Sequence, residues 1–204
     1  MTIILHHLER SRSLRVLWLL KELDLPHVIR RYKRDPVTRL APAELKQVHP
    51  LGKAPVITVD GLCIAESGAI AEFLVDRAGG QLGAPAVPGE RLLYRQFLHY
   101  AEGSLMPALL NILVLRQLGE AGAPAMPQRQ AMLDNHLDWL ENELSVRDWF
   151  AGREFTAADV LMSFPLEVST QIGGLDAARP GLWNWLHRIH ARPAYQAASA
   201  EAAD

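Results

Sequence analysis

The feature that most constrains this chain is a proline placed to open a strand, in Gly52-Lys53-Ala54-Pro55-Val56-Ile57, with the acid–hydroxyl pair Glu66-Ser67 soon after it. Proline lacks a backbone N–H and fixes its own φ, so it suits the first residue of a strand and not its middle. A cis Ala54-Pro55 bond would leave the N–H and C=O of Ala54 turned to a ligand, and cis bonds are essentially confined to such X-Pro steps. Glu66-Ser67 sets a carboxylate, a hydroxyl and free backbone N–H groups at the start of a helix, an end whose dipole attracts a carboxylate. Together these predict an edge that binds an extended, zwitterionic small peptide.

The surrounding pattern fits a small α/β unit. Residues 2–6 read as a short apolar strand and Ser13 to Leu25 as a broadly apolar helix stopped by Pro26. His27 to Tyr32 is a second strand, and Pro42 to Val48 a short helix with proline at its start. Val56–Val59, Asp60-Gly61 and Leu62–Ala65 spell a hairpin with a two-residue turn, and Ser67 to Ala78 a helix stopped by Gly79-Gly80. A glycine- and proline-rich stretch up to Gly89 follows, and beyond it no segment alternates at period two. Helices are predicted near 89–118, 127–146, 157–172 and 182–190, with a short one after Pro193 and a low-complexity, alanine-rich tail from Ala197. The expected domains are therefore 1–80, a linker at 81–88, and an all-helical 89–204.

Of 204 residues, 49% are apolar, enough for a real core. A net charge of −2 gives no global pull towards nucleic acid. The single cysteine, Cys63, rules out an internal disulfide or a C-x-x-C framework, fits a reducing compartment, and is expected to be a small buried side chain. The N-terminus lacks the pattern of a signal peptide, and the most apolar run, Leu105 to Leu115, is short and broken by Pro107 and Asn111. The expectation is a cytoplasmic protein without a membrane span.

An α/β unit with Xaa-Pro before its hairpin and Glu-Ser after it, followed by an all-helical half, resembles the cytosolic glutathione S-transferases. The resemblance covers essentially the whole chain and rests most on His49-Pro50-Leu51-Gly52-Lys53-Ala54-Pro55-Val56 with Glu66-Ser67. In the second half it rests on Phe155-Thr156-Ala157-Ala158-Asp159, where Thr156 would cap a helix, Asp159 would return the bond and Phe155 would act as the staple. The turn Ser11-Arg12-Ser13-Leu14-Arg15-Val16-Leu17-Trp18 is similar to the serine-using branch of bacterial and fungal type; no tyrosine or cysteine lies there. The family implies a thioredoxin-like N-terminal domain, an all-α helical-bundle C-terminal domain and a symmetric homodimer.

The resemblance also implies roles. Glu66 and Ser67 would hold the γ-glutamyl end of glutathione, Ala54, after which Pro55 opens the strand, would pair with the cysteinyl backbone, and Lys53, with His49 a candidate beside it, would face the glycyl carboxylate. Ser11 or Ser13 would donate a hydrogen bond to the thiolate; the spacing to Arg15 favours Ser11, and either serine could instead only cap the helix. The second substrate, a small apolar electrophile, would lie against the first long helix of the second half, with Tyr100, Ser104, Leu105 and Met106 as candidates and core packing as the competing account. The expected reaction is conjugation of the glutathione thiolate, with glutathione as co-substrate and no other cofactor. Glutathione-dependent reduction of hydroperoxides or disulfides, and a non-enzymatic binding protein of the same fold, are the alternatives. The basic run Arg30-Arg31-Tyr32-Lys33-Arg34 reads as a solvated face and not a nucleic-acid site, and no metal site is expected, since His6 and His7 point to opposite faces of one strand.

Overall fold

The computed structural model describes residues 2–203. They form two compact units, 2–83 with 191–203, and 84–190.

The first unit is built on a four-stranded sheet of order β2-β1-β3-β4, from β1 (Ile3–Leu8), β2 (His27–Tyr32), β3 (Val56–Val59) and β4 (Leu62–Ala65). β1 and β2 run parallel, so the chain must cross over between them, and α1 (Ser13–Glu22) makes that crossing. The other pairs are antiparallel. The β3–β4 hairpin falls where Asp60-Gly61 predicts it: both turn residues have positive φ, 50° and 81°, the geometry that lets a two-residue turn follow strand twist. β1 runs further than expected because its pairing with β2 continues to Leu8 opposite Tyr32. α1 is shorter than expected: it stops at Glu22, ahead of Pro26, where Asp24 turns left-handed at φ 49°.

Leu5, Leu17, Trp18, Leu20, Ile57, Ile70 and Leu74 are fully buried, the last two on α3 (Ser67–Arg77). Each such side chain contributes about 1.5–3 kcal/mol. A smaller cluster of Leu8, Tyr32 and Leu45 packs with Ala41, Val48 and Ala54, so the short helix α2 (Leu45–Val48) holds the segment that carries Ala54. Cys63 is exposed, contrary to expectation, because β4 is an edge strand; its thiol donates to the Val48 carbonyl at 3.3 Å.

The sequence assigns everything after residue 89 to the helical half, and the packing corrects this. The segment after His190 joins the α/β unit, where α9 (Pro193–Ala203) lies along α1. Trp18 meets Tyr195 edge-on at 5.1 Å, Arg192 forms a two-pronged pair with Glu22 at 2.6 and 2.8 Å, and Lys21 pairs with Glu201. The alanine-rich tail is a docked helix.

The second unit is all-helical: α4 (Pro88–Tyr100), α5 (Met106–Gln117), α6 (Met126–Ser145), α7 (Ala157–Val168) and α8 (Pro180–His190). A π-helical turn, Ala101–Leu105, joins α4 to α5 in one continuous helix. By length and composition that helix, Pro88–Gln117, is long and apolar enough to cross a bilayer, which the shorter run Leu105–Leu115 is not. Its buried residues Tyr94, Phe97, Leu98, Ala101, Leu105, Leu109 and Ile112 recur at helical spacing, and this face packs on α6 and α7. Phe97, Trp139, Phe150 and Trp185 form an aromatic column with centroids 4.9–5.5 Å apart. It ends on Asp159, which accepts from the Trp185 indole, the Phe150 and Thr156 amides and the Thr156 hydroxyl. The expected capping box at Thr156 is present. Burial pushes the Asp159 carboxyl up to about 6, against the pull of those donors.

Candidate functional site

Sheet register brings the three signalled turns to one end of the first unit. His6 of β1 stands opposite Val56 of β3, and Val56 opposite Ala65 of β4. The turn carrying Ser11 leaves the end of β1, Pro55 precedes Val56, and Glu66 follows Ala65. Strands lie about 4.8 Å apart, so the row from β1 to β4 spans about 10 Å.

Along this row the Ala54-Pro55 bond is cis. Pro55 is buried, Ala54 half-buried and Lys53 exposed. Gly52 has φ +58°, and a Cβ there would come within 2.7 Å of Lys46 Cγ, so the turn needs glycine. His49 is spent locally: its carbonyl accepts from Gly52 N–H at 2.8 Å and its Nδ1 from Leu51 N–H at 3.4 Å. Glu66 is exposed, with φ 69° and ψ 123°, a conformation non-glycine residues rarely hold. Ser67 opens α3 and is buried.

The serines are coupled. Ser11 keeps 8% of its surface exposed and Ser13 none. Their hydroxyl oxygens lie 2.7 Å apart, and Ser13 N–H donates to Ser11 Oγ at 3.2 Å. Ser13 Oγ also lies 2.9 Å from His7 Nδ1 and accepts from Leu8 N–H at 3.2 Å. His7 is buried on β1, and desolvation, followed by the Arg31 charge, holds its imidazole below the ordinary value. Sequence reading missed this contact. The available signal was the strand's alternation, which puts His7 on the face of Leu5, against which α1 packs. His6, on the other face, meets the Tyr32 hydroxyl at 2.9 Å and the Thr58 hydroxyl at 3.2 Å.

Leu105 and Met106 are buried and Ser104 is half-buried. The Tyr100 hydroxyl lies 2.5 Å from His136 Nδ1, and both border a cavity of about 430 Å³ with Met132, Asn135 and Trp139. Burial pushes the Tyr100 phenol up and the His136 imidazole down, which favours the neutral form of each. Among the described residues no cluster of side chains could hold a metal ion.

Comparison with known proteins agrees with the fold. The family models for the glutathione S-transferase N-terminal and C-terminal domains match residues 1–76 and 101–193. Glutathione S-transferase 3 of Schizosaccharomyces pombe is 31% identical over 99% of this chain and 88% of its own length. A solved glutathione S-transferase of Actinobacillus pleuropneumoniae superposes with a TM-score of 0.89 at 33% identity, over 98% of this chain and 92% of its own. A sphingomonad glutathione S-transferase solved in complex with glutathione superposes with a TM-score of 0.78 at 26% identity, over 100% and 99%. The chain belongs to the glutathione S-transferase family.

Proposed function

We propose that this protein is a glutathione transferase that uses Ser11 to stabilise the glutathione thiolate for attack on small apolar electrophiles. The observation that carries this is the row of turns set by the His6–Val56–Ala65 register, about 10 Å long, which matches an extended tripeptide of about 3.3–3.6 Å per residue. Glu66 and Ser67 at the start of α3 take the γ-glutamyl end, Ala54 takes the cysteinyl backbone, and Lys53 meets the glycyl carboxylate. His49 serves its own turn in this reading.

The chemistry asked of the site is modest. A free thiol has a pKa of about 8.5, and lowering it by two units needs about 2.7 kcal/mol of preferential stabilisation of the anion. A hydroxyl donating a charge-assisted hydrogen bond, beside the N-terminus of α1, is of that order. Ser11 is favoured over Ser13 because it alone of the two keeps exposed surface. The serine donates to the nucleophile and takes no proton from it. The protein is expected to work as a homodimer in the cytoplasm.

Titration calorimetry with glutathione and turnover with a model aryl halide test the reading. Wild-type protein is expected to bind glutathione, and Ser11→Ala to hold up to about 25-fold less thiolate at neutral pH, with turnover falling in step. Unchanged turnover in Ser11→Ala across the pH range defeats the assignment. Parallel assays with cumene hydroperoxide and a mixed disulfide separate transfer from reduction, and absence of glutathione binding at millimolar concentration supports a non-enzymatic role.

A further inference from the structure

We propose that His7, acting through Ser13, fixes the direction of the Ser11 hydroxyl proton and is a positioning residue for the thiolate. This rests on the reading of Ser11 given above and extends it to two buried residues.

The argument is a count of protons and lone pairs. A serine hydroxyl offers one proton and two acceptor sites. Ser13 Oγ has four polar neighbours: Leu8 N at 3.2 Å, the Leu8 carbonyl at 3.2 Å, Ser11 Oγ at 2.7 Å and His7 Nδ1 at 2.9 Å. Leu8 N–H can only donate, which fills one acceptor site. If His7 carries its proton on Nδ1, it fills the other. Ser13 then has no lone pair left for the Ser11 proton, whether its own proton turns to Ser11 or leans to the Leu8 carbonyl. Ser11, which already accepts from Ser13 N–H at 3.2 Å, can only turn its proton outward. If His7 carries its proton on Nε2 instead, Ser13 donates to Nδ1 and accepts from Ser11. The Ser11 proton is then used up inside, and Ser11 offers a sulfur only a lone pair.

A bound thiolate selects the first arrangement, since only in the Nδ1–H form can every proton of the chain His7–Ser13–Ser11 point towards the negative sulfur. The Ala202 backbone acts on the imidazole in the opposite sense to burial and Arg31, favouring its protonated form. Burial and Arg31, its register partner on β2, keep the imidazole neutral at neutral pH. Protonation would add a proton at Nε2 and leave the direction of the chain as it is.

The test is the pKa of bound glutathione, read from thiolate ultraviolet absorbance against pH, with calorimetric Kd measured beside it. His7→Phe, which opens an acceptor site on Ser13 for the Ser11 proton, is expected to raise that pKa by about one unit, about threefold less thiolate at neutral pH, with Kd changed less than about threefold. Ser13→Ala, which removes the inner acceptor altogether, is expected to shift it less than His7→Phe does. His7→Asn, whose amide can set a donor near the place of Nδ1, is expected to titrate close to wild type. A merely structural role would alter Kd or folding and leave the bound thiol's pKa where it was. Should His7→Phe fail to fold, His7→Ala takes its place. Wild-type titration of the His7 variant, with Ser11→Ala shifted, overturns the relay and leaves Ser11 in place. No glutathione binding, or no shift in Ser11→Ala, overturns the activation reading and the relay with it.

Discussion

Glu66 holds a backbone conformation that costs a non-glycine residue about 1–3 kcal/mol, and it does so at the turn where the proposed reading sets the γ-glutamyl end of glutathione. Glycine there would relieve the φ cost while removing the carboxylate. Glu66→Gly is therefore expected to keep or raise the melting temperature and to weaken glutathione binding at least about tenfold by calorimetry. A lower melting temperature with unchanged affinity would contradict both halves of that statement. The two strand histidines make a second prediction at this scale. His6 and His7 both have pKa values depressed by burial, so below the unfolded value of 6.5 the unfolded chain binds protons that the native state refuses. Stability is then fully present above that value and falls as pH drops through it. The urea midpoint is expected to decline between about pH 7.5 and about pH 6, and to decline less in His7→Phe. Asp159, raised to about 6, acts in the opposite sense at lower pH, so the measurement belongs above that value.

At the scale of elements, the N-terminus of α7 is fixed by one carboxylate. Asp159 is fully buried and is the acceptor for four donors drawn from Phe150, Thr156 and Trp185. Asp159→Ala strands those donors and is expected to cost about 3 kcal/mol or more, seen as a lower denaturant midpoint at an unchanged slope. This motif was legible in the sequence because capping chemistry is local: Thr156 and Asp159 stand three residues apart. The β3–β4 hairpin was legible for the same reason, since Asp60-Gly61 dictates its own turn. What the sequence hid is non-local. Nothing near His7 names Ser13 as its partner, because the pairing arises only when α1 returns against β1. The positive φ of Glu66 is set by the pull of β4 and α3 on either side, not by a glutamate's preference. The π-helical turns at Ala101–Leu105 and Ser169–Gly173 escaped because they change the helix by one hydrogen-bond step without interrupting the apolar spacing. α9 is predicted as a short helix after Pro193, but its docking is not legible, since the stretch from Ala197 is rich in alanine; its attachment comes from Tyr195 and the ion pairs at Arg192 and Glu201.

For the molecule as a whole, the α/β unit is discontinuous: its sheet is complete by Ala65, yet a helix from beyond residue 190 covers α1. Trp18, fully buried, owes part of that burial to Tyr195, and Glu22 is held by both the Trp18 indole and Arg192. During synthesis the sheet and α1 emerge early while their last cover is still unmade, so Trp18 must wait for most of the chain. The α/β half is thus completed only once the residues beyond 190 have been made. A fragment of residues 1–83 is expected to unfold readily and to regain cooperative melting when a peptide of residues 191–204 is supplied in trans.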